Sequence, residues 1–161
     1  MKNDDLLVLK ALQLAIKYHD GQIDKAGMPY IEHCIRVGVR AGVKGRDEEE
    51  TRLLTTIGFL HDILEDTDMT YNQLMDQIKN EEVLKATVLL TRIKGHAYYD
   101  YIDTITENRF ATLVKLADIE DHLEFKNGYV LPESLRFRYQ TAKKQLMDSE
   151  TYSKYVLEEN S

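Results

Sequence analysis

Apolar residues recur along this chain at helical spacing, and no stretch shows the alternation of a half-buried strand. Leu7, Ala11, Leu14, Ala15 and Tyr18 fall on one face of a first helix, with Gly21 behind it as a stop. Pro29 opens a second, where its missing N–H costs nothing, and Ile31, Ile35, Gly38 and Gly42 line one side. A third runs from Asp47 to Asp66. Asp47 is placed to cap it with Glu50 three residues on, and Leu53, Leu54, Ile57, Leu60, Ile63 and Leu64 make it largely apolar and hence central. Thr70 with Gln73 is a capping-box pair ahead of Leu74 and Ile78, and Asn80 caps a helix from Glu81 to Thr91. After a loop at Lys94-Gly95, Tyr98, Tyr101, Ile102 and Ile105 mark a helix ending near Asn108. Arg109 to Phe125 follows, stopped by Asn127-Gly128. Pro132 begins a helix with Leu135, Tyr139, Ala142 and Leu146 on one face, and a short tail helix carries Tyr152, Tyr155 and Val156. The pattern predicts an all-α bundle of roughly seven to nine helices, a single domain over residues 1–161.

At 161 residues the chain is long enough to bury a core without staples. Its one cysteine, Cys34, excludes an internal disulfide and suits a reducing cytoplasm. Lys10 and Lys17 interrupt the N-terminal segment, and no apolar run approaches the ~20 residues of a membrane span, so neither a signal peptide nor a membrane partner is expected. A formal net charge of −7 disfavours nucleic acid as a partner, because neutralising its phosphates needs basic surface. A small phosphorylated ligand is compatible with that charge, since a metal or a few cations make a local positive pocket. Nothing in the pattern fixes an oligomeric state.

His61-Asp62-Ile63-Leu64-Glu65-Asp66 sets four ionisable side chains into an apolar helix. On a continuous helix His61 and Glu65 are i, i+4 partners, as are Asp62 and Asp66, so all four can face one cavity. Burying them beside Leu60, Ile63 and Leu64 is costly without compensation, and a divalent cation is the simplest compensation. Read alone, the segment is equally a helix end with a solvated acidic turn. His33 alone reads as a satisfied, partly buried side chain, and Asp118 alone as an exposed polar position. Together they are two imidazoles and two carboxylates on three helices, a sound donor set for a borderline divalent metal. His19 reads as packing near the end of the first helix, Cys34 as a small buried hydrophobe, and the tyrosines at 98, 99 and 101 mostly as core. Arg92, Lys94, Lys115 and Lys126 are candidates for phosphate contact, Lys115 foremost because it lies one turn before Asp118. The basic stripe of Arg136, Arg138, Lys143 and Lys144 reads as a solvated face.

The order H…HD…D resembles the signature of HD phosphohydrolases, and the text around it resembles the hydrolase domain of the RelA/SpoT alarmone family. His19-Asp20-Gly21-Gln22, then Lys25-Ala26-Gly27-Met28-Pro29-Tyr30-Ile31-Glu32-His33, is similar to that family's HxGQxRKxGxPYxxH opening. Gly58-Phe59-Leu60-His61-Asp62-Ile63-Leu64-Glu65-Asp66-Thr67 is similar to its LLHDxxEDT centre, and Val114-Lys115-Leu116-Ala117-Asp118 to its KLAD motif. The long members also carry a synthetase domain, for which this length has no room, so the likeness is to the stand-alone hydrolases. It implies an HD-type helical bundle in which His33, His61, Asp62 and Asp118 hold one divalent metal, manganese in the family. It implies further that Glu65 and Asp66 orient or deprotonate the attacking water and that Lys25 helps bind a nucleotide substrate. Four donors alone would close a tetrahedral zinc site, whereas a six-coordinate ion keeps positions for water and a phosphate oxygen. The implied activity is nucleotide phosphohydrolysis, in its specific form the 3′-pyrophosphohydrolysis of guanosine 3′,5′-bis(diphosphate). A 5′-nucleotidase or other nucleotide phosphatase, and a non-catalytic nucleotide-binding module, are the alternatives. Departures gather where the family reads its substrate. Asp24 stands in place of an arginine, Cys34 in place of a proline, and His122 in place of a nucleotide-contacting asparagine. His122, four residues after Asp118, is expected to project into the same cavity and touch the substrate, and the missing arginine implies a weaker hold on guanine.

Overall fold

The computed structural model describes residues 3–124 and 127–161. In chain order the helices are α1 (Asn3–Tyr18), α2 (Tyr30–Gly42), α3 (Glu48–Leu60), α4 (Ile63–Asp66), α5 (Tyr71–Ile78), α6 (Glu81–Leu90), α7 (Tyr98–Ile105), α8 (Arg109–Glu124), α9 (Glu133–Met147) and α10 (Glu150–Glu159). Among the described residues no strand forms; Ile23 and Pro29 make one isolated bridge. Phe125 and Lys126, the first expected to end a helix and the second a candidate phosphate contact, lie outside the described residues.

Local sequence sets most of the helix ends. Asp47 accepts from the Glu50 N–H at 2.9 Å, Asn80 accepts from Val83 at 3.0 Å, and Thr70 with Gln73 forms a full capping box. Gly21 after α1, and Asn127 and Gly128 after α8, take positive φ, the backbone of a chain leaving a helix.

The expected third helix does not run through. It breaks at His61-Asp62, where Asp62 sits at φ −105° and ψ 0°, and α4 restarts as a single turn. The break makes ten helices among the described residues, where roughly seven to nine were expected, and it has a physical use. Neighbouring residues on an unbroken helix diverge by about 100°, whereas here the Asp62 carboxylate turns back to lie 2.8 Å from the ring of His61. On α2 the buried face is His33, Cys34, Val37, Gly38, Ala41 and Gly42, while Ile35 is exposed, so the expected face keeps Gly38 and Gly42 but was centred about a quarter turn off.

α3 is the central element, packed on α1, α2, α6 and α8, with Leu54, Ile57 and Leu60 fully buried. Its crossing with α2 is a backbone contact. A Cβ on Gly58 would lie 2.5 Å from Gly38 Cα, and one on Gly38 would lie 2.3 Å from the Phe59 ring. That approach brings the rings of His33 and His61 to 5.2 Å. α8 crosses α2 and α3 and carries Asp118, Asp121 and His122 to the same place, and α9 lies over α8.

Candidate metal centre and adjoining cavity

His33, His61 and Asp118 each offer an atom within 4.8 Å of the others, and all three side chains are buried. Asp118 Oδ1 lies 3.3 Å from His33 Nε2 and 3.7 Å from His61 Nε2. Asp62 Oδ2 lies 2.8 Å from His61 Nε2 and 3.8 Å from His33 Nε2. Three of the expected donors, His33, His61 and Asp118, therefore form one cluster, and Asp62 lies against both of its imidazoles. The fit to a metal rests on what these atoms lack: His33 Nε2, His61 Nε2 and Asp118 Oδ1 are buried without a well-formed hydrogen bond. Buried polar atoms are otherwise almost always satisfied, and aligned lone pairs on imidazole and carboxylate are what a divalent ion accepts.

The outer partners hold that arrangement. His33 Nδ1 lies 2.9 Å from Asp121 Oδ2 and His61 Nδ1 2.8 Å from the Gly58 carbonyl, contacts in which each Nδ1 donates and each Nε2 is turned toward the other donors. Asp121 is itself gripped by Arg36 through two bonds, at 2.8 and 3.0 Å, with Arg40 at 3.3 Å. Tyr30 donates its hydroxyl to Asp62 at 2.5 Å. The same carboxylates act on the ionisation of the rings. Burial alone would lower both imidazoles, yet Asp118 and Asp121 push His33 up to about 10, and Asp62 raises His61. Burial works against the charge on Asp62 and Asp118 too, but His61 keeps the first low, and Lys115 and then His122 keep the second well below the usual carboxylate range. A buried centre so rich in carboxylate draws positive charge to itself.

The other expected residues divide. Asp66 lines a cavity of about 340 Å³ together with His33, Lys25 and His122. Glu65 accepts from the Arg92 N–H at 2.5 Å. Burial, seconded by Asp62, raises the pKa of Asp66, and burial with the Arg92 bond opposing it raises that of Glu65. Lys25 is exposed at the cavity rim. Lys115 is a correction: its ammonium is largely buried and bonds Asp118 Oδ2 at 2.7 Å, turned to the centre's own carboxylate and away from the cavity. His122 does project into the cavity, its ring parallel to Tyr139 at 4.9 Å and 5°. Asp24 neither faces the base end as a free charge nor pairs with Lys25. Its carboxylate accepts from the N–H groups of Ala26 and Met28, both at 2.9 Å, and so shapes the turn that carries Lys25. His19 packs where expected, Nδ1 at 2.7 Å from Gln22, which in turn donates to the Asp66 carbonyl. Of the tyrosines, Tyr101 is core and donates to the Leu90 carbonyl at 2.5 Å, while Tyr99 is exposed.

Sequence reasoning missed Asp121, Arg36 and the role of Tyr30. Asp121 lies three residues after Asp118, one turn along the same apolar helix, and an acidic residue there was the available signal.

No family model matches the chain. It is 30% identical over 125 residues to the guanosine-3′,5′-bis(diphosphate) 3′-pyrophosphohydrolase of Aquifex aeolicus, an alignment covering 73% of this chain and 17% of that protein. It is 35% identical over 113 residues to the GTP pyrophosphokinase of Myxococcus xanthus, covering 69% and 14%. This is an HD-type domain of the RelA/SpoT kind. A solved structure of a metazoan SpoT orthologue that hydrolyses ppGpp shares the fold of this HD domain, with a TM-score of 0.66 at 22% identity over 95% of this chain and 93% of that one. The HD domain spans less than a fifth of the length of the curated relatives it matches.

Proposed function

We propose that this HD domain is a metal-dependent phosphohydrolase acting on a nucleotide, and that its specific reaction removes the 3′-pyrophosphate of guanosine 3′,5′-bis(diphosphate). The observation that carries the proposal is the convergence of unpaired, buried donor atoms on His33, His61 and Asp118, beside a cavity that His33 lines. The names of the Aquifex and Borreliella relatives support the substrate. His33, His61, Asp62 and Asp118 would hold a divalent ion, manganese by the family likeness, which when bound supplies an acidified water and neutralises charge developing on phosphorus.

The chain's own residues do the rest. Asp66, on the cavity wall with a raised pKa, would take a proton from the attacking water. Glu65, fixed by the Arg92 N–H, orients the same region. Lys25 at the rim meets phosphate charge. The turn set by Asp24 holds Lys25 in place but offers no guanidinium to stack on a base, which favours affinity carried by phosphate over affinity carried by guanine. We place the protein in the cytoplasm, where nucleotides lie and where the buried, free thiol of Cys34 is stable; among the described residues no helix is long and apolar enough to cross a membrane.

The test is turnover of a nucleotide panel by manganese-loaded protein, with guanosine tetraphosphate, its adenine counterpart and simple 5′-monophosphates side by side. Pyrophosphate release from the tetraphosphates is the expected result. Release of phosphate from monophosphates alone would move the reading to a nucleotidase. No turnover of any member by protein shown to hold its metal would leave a binding module.

A further inference from the structure

We propose that His122 is a fifth protein donor to the metal centre, so that three imidazoles and two carboxylates hold the ion. The proposal rests on the reading of His33, His61, Asp62 and Asp118 as a metal centre and changes what that centre is. The Nε2 atoms of His122, His33 and His61 lie 3.1, 3.3 and 3.7 Å from one and the same atom, Asp118 Oδ1. That oxygen is buried and takes a well-formed hydrogen bond from none of them. Charge attraction draws His33 and His122 toward this carboxylate, yet none of the three imidazole edges closes a well-formed hydrogen bond on the one oxygen they share.

Shared ligation accounts for all three. Donors held to one ion by bonds of about 2.1 Å stand about 3.0 Å apart along an octahedral edge and about 4.2 Å apart across it. All three separations fall in that interval. The ring of His122 is also closer to His33, at 4.7 Å between centroids, than the ring of His61 is, at 5.2 Å. Orientation excludes the plainer role of a base-stacking platform on one side, because Tyr139 already covers a face of His122 in parallel contact. The stack fixes the ring plane while its Nε2 edge turns toward Asp118. His122 thus stands between the buried donors and the cavity, about a third exposed, at 36%.

A third imidazole makes the donor set softer. Imidazole-rich sites hold cobalt, nickel and zinc more tightly than manganese, and each added nitrogen donor widens that gap. Five protein donors also leave one octahedral position for an exogenous oxygen.

Two measurements decide the matter. The first loads ¹⁵N-histidine-labelled protein with ¹¹³Cd²⁺ and counts the histidine Nε2 resonances split by coupling to the metal. Three are expected. Two would overturn the proposal and leave the centre standing, and none would remove the centre itself. The second titrates Co²⁺ and Mn²⁺ into the wild type and into His122→Asn, which keeps a group able to bond Asp118. The variant is expected to lose about tenfold or more in Co²⁺ affinity and less in Mn²⁺ affinity. Equal Co²⁺ affinity in the two proteins would overturn the proposal. If the variant does not fold, the cadmium count on the wild type decides alone.

Discussion

Replacing Gly58 with alanine tests the backbone contact that sets two histidines of the centre side by side. The new Cβ would fall 2.5 Å from Gly38 Cα, 2.9 Å from Gly38 N and 3.1 Å from the Val37 carbonyl carbon. These are backbone atoms, so no side chain can swing clear. Restoring an ordinary separation of about 3.5 Å requires α2 and α3 to part by about 1 Å. Helix propensity alone would stabilise the substitution by about 1 kcal/mol. Overpacking against backbone costs about 1–3 kcal/mol and falls toward the upper end here, so the net expectation is a loss of about 1–2 kcal/mol. The same displacement separates His33, on α2, from His61, whose Nδ1 bonds the Gly58 carbonyl itself. Metal sites tolerate about 0.2 Å in their ligand distances, so metal affinity falls along with stability. Urea unfolding of the metal-free protein gives the first quantity and calorimetric metal titration the second. A Gly58→Ala protein more stable by about 1 kcal/mol, with unchanged metal affinity, would refute the reasoning, because it would mean that the helices do not meet at this spacing.

Asp121→Asn keeps the size of the group behind His33 and removes its charge; metal affinity is expected to drop by about 10–100-fold with the fold retained, and an unchanged titration curve would take Asp121 out of the centre. Glu65→Gln and Asp66→Asn should both keep the metal, and Asp66→Asn, which removes the proton acceptor, should lower turnover by about 10²–10⁴-fold; a wild-type rate in metal-replete Asp66→Asn would refute the assignment. Glu50, bonded to Arg46 and Arg109, has its carboxyl pulled from 4.5 to about 2, chiefly by the Arg46 bond. Its folded value lies below its unfolded one, so its contribution is present above pH 4.5 and is lost as pH falls toward 2. Chemical denaturation along a pH series should therefore show Glu50→Gln less stable than wild type near neutrality and level with it near the acid end; a gap that persists undiminished there would exclude the ionic origin.

Helix type and caps were legible because they are local: Asp47, Thr70 and Asn80 each specify a helix start within three residues. His33, His61, Asp62 and Asp118 were legible as parts through their order in the chain. Their convergence was legible only through the family likeness, since nothing in the spacing itself says that Gly38 and Gly58 touch. The break at His61-Asp62 was hidden for a related reason. Its cause is tertiary, a carboxylate drawn to Tyr30 and a neighbouring imidazole, while Ile63 and Leu64 carry the apolar pattern straight across it. Lys115 looked like a phosphate contact because spacing gives the face of a helix but not the partner that claims the side chain. Asp24 looked like a lost arginine until its bonds to Ala26 and Met28 showed a different task.

The placement of Tyr30 has an optical consequence. The chain contains no tryptophan and ten tyrosines, so its near-ultraviolet emission is tyrosine emission. A phenol that donates to a carboxylate emits weakly, because the acceptor draws off its proton in the excited state. Tyr30 is in that condition, its hydroxyl on Asp62 and its ring 5.4 Å from His33. A cation that takes up the charge of Asp62 weakens the bond that dims Tyr30, and the emission rises; a paramagnetic cation dims the same ring by another route. The molecule thus carries an intrinsic, label-free indicator of whether its centre is loaded and of which class of ion loads it.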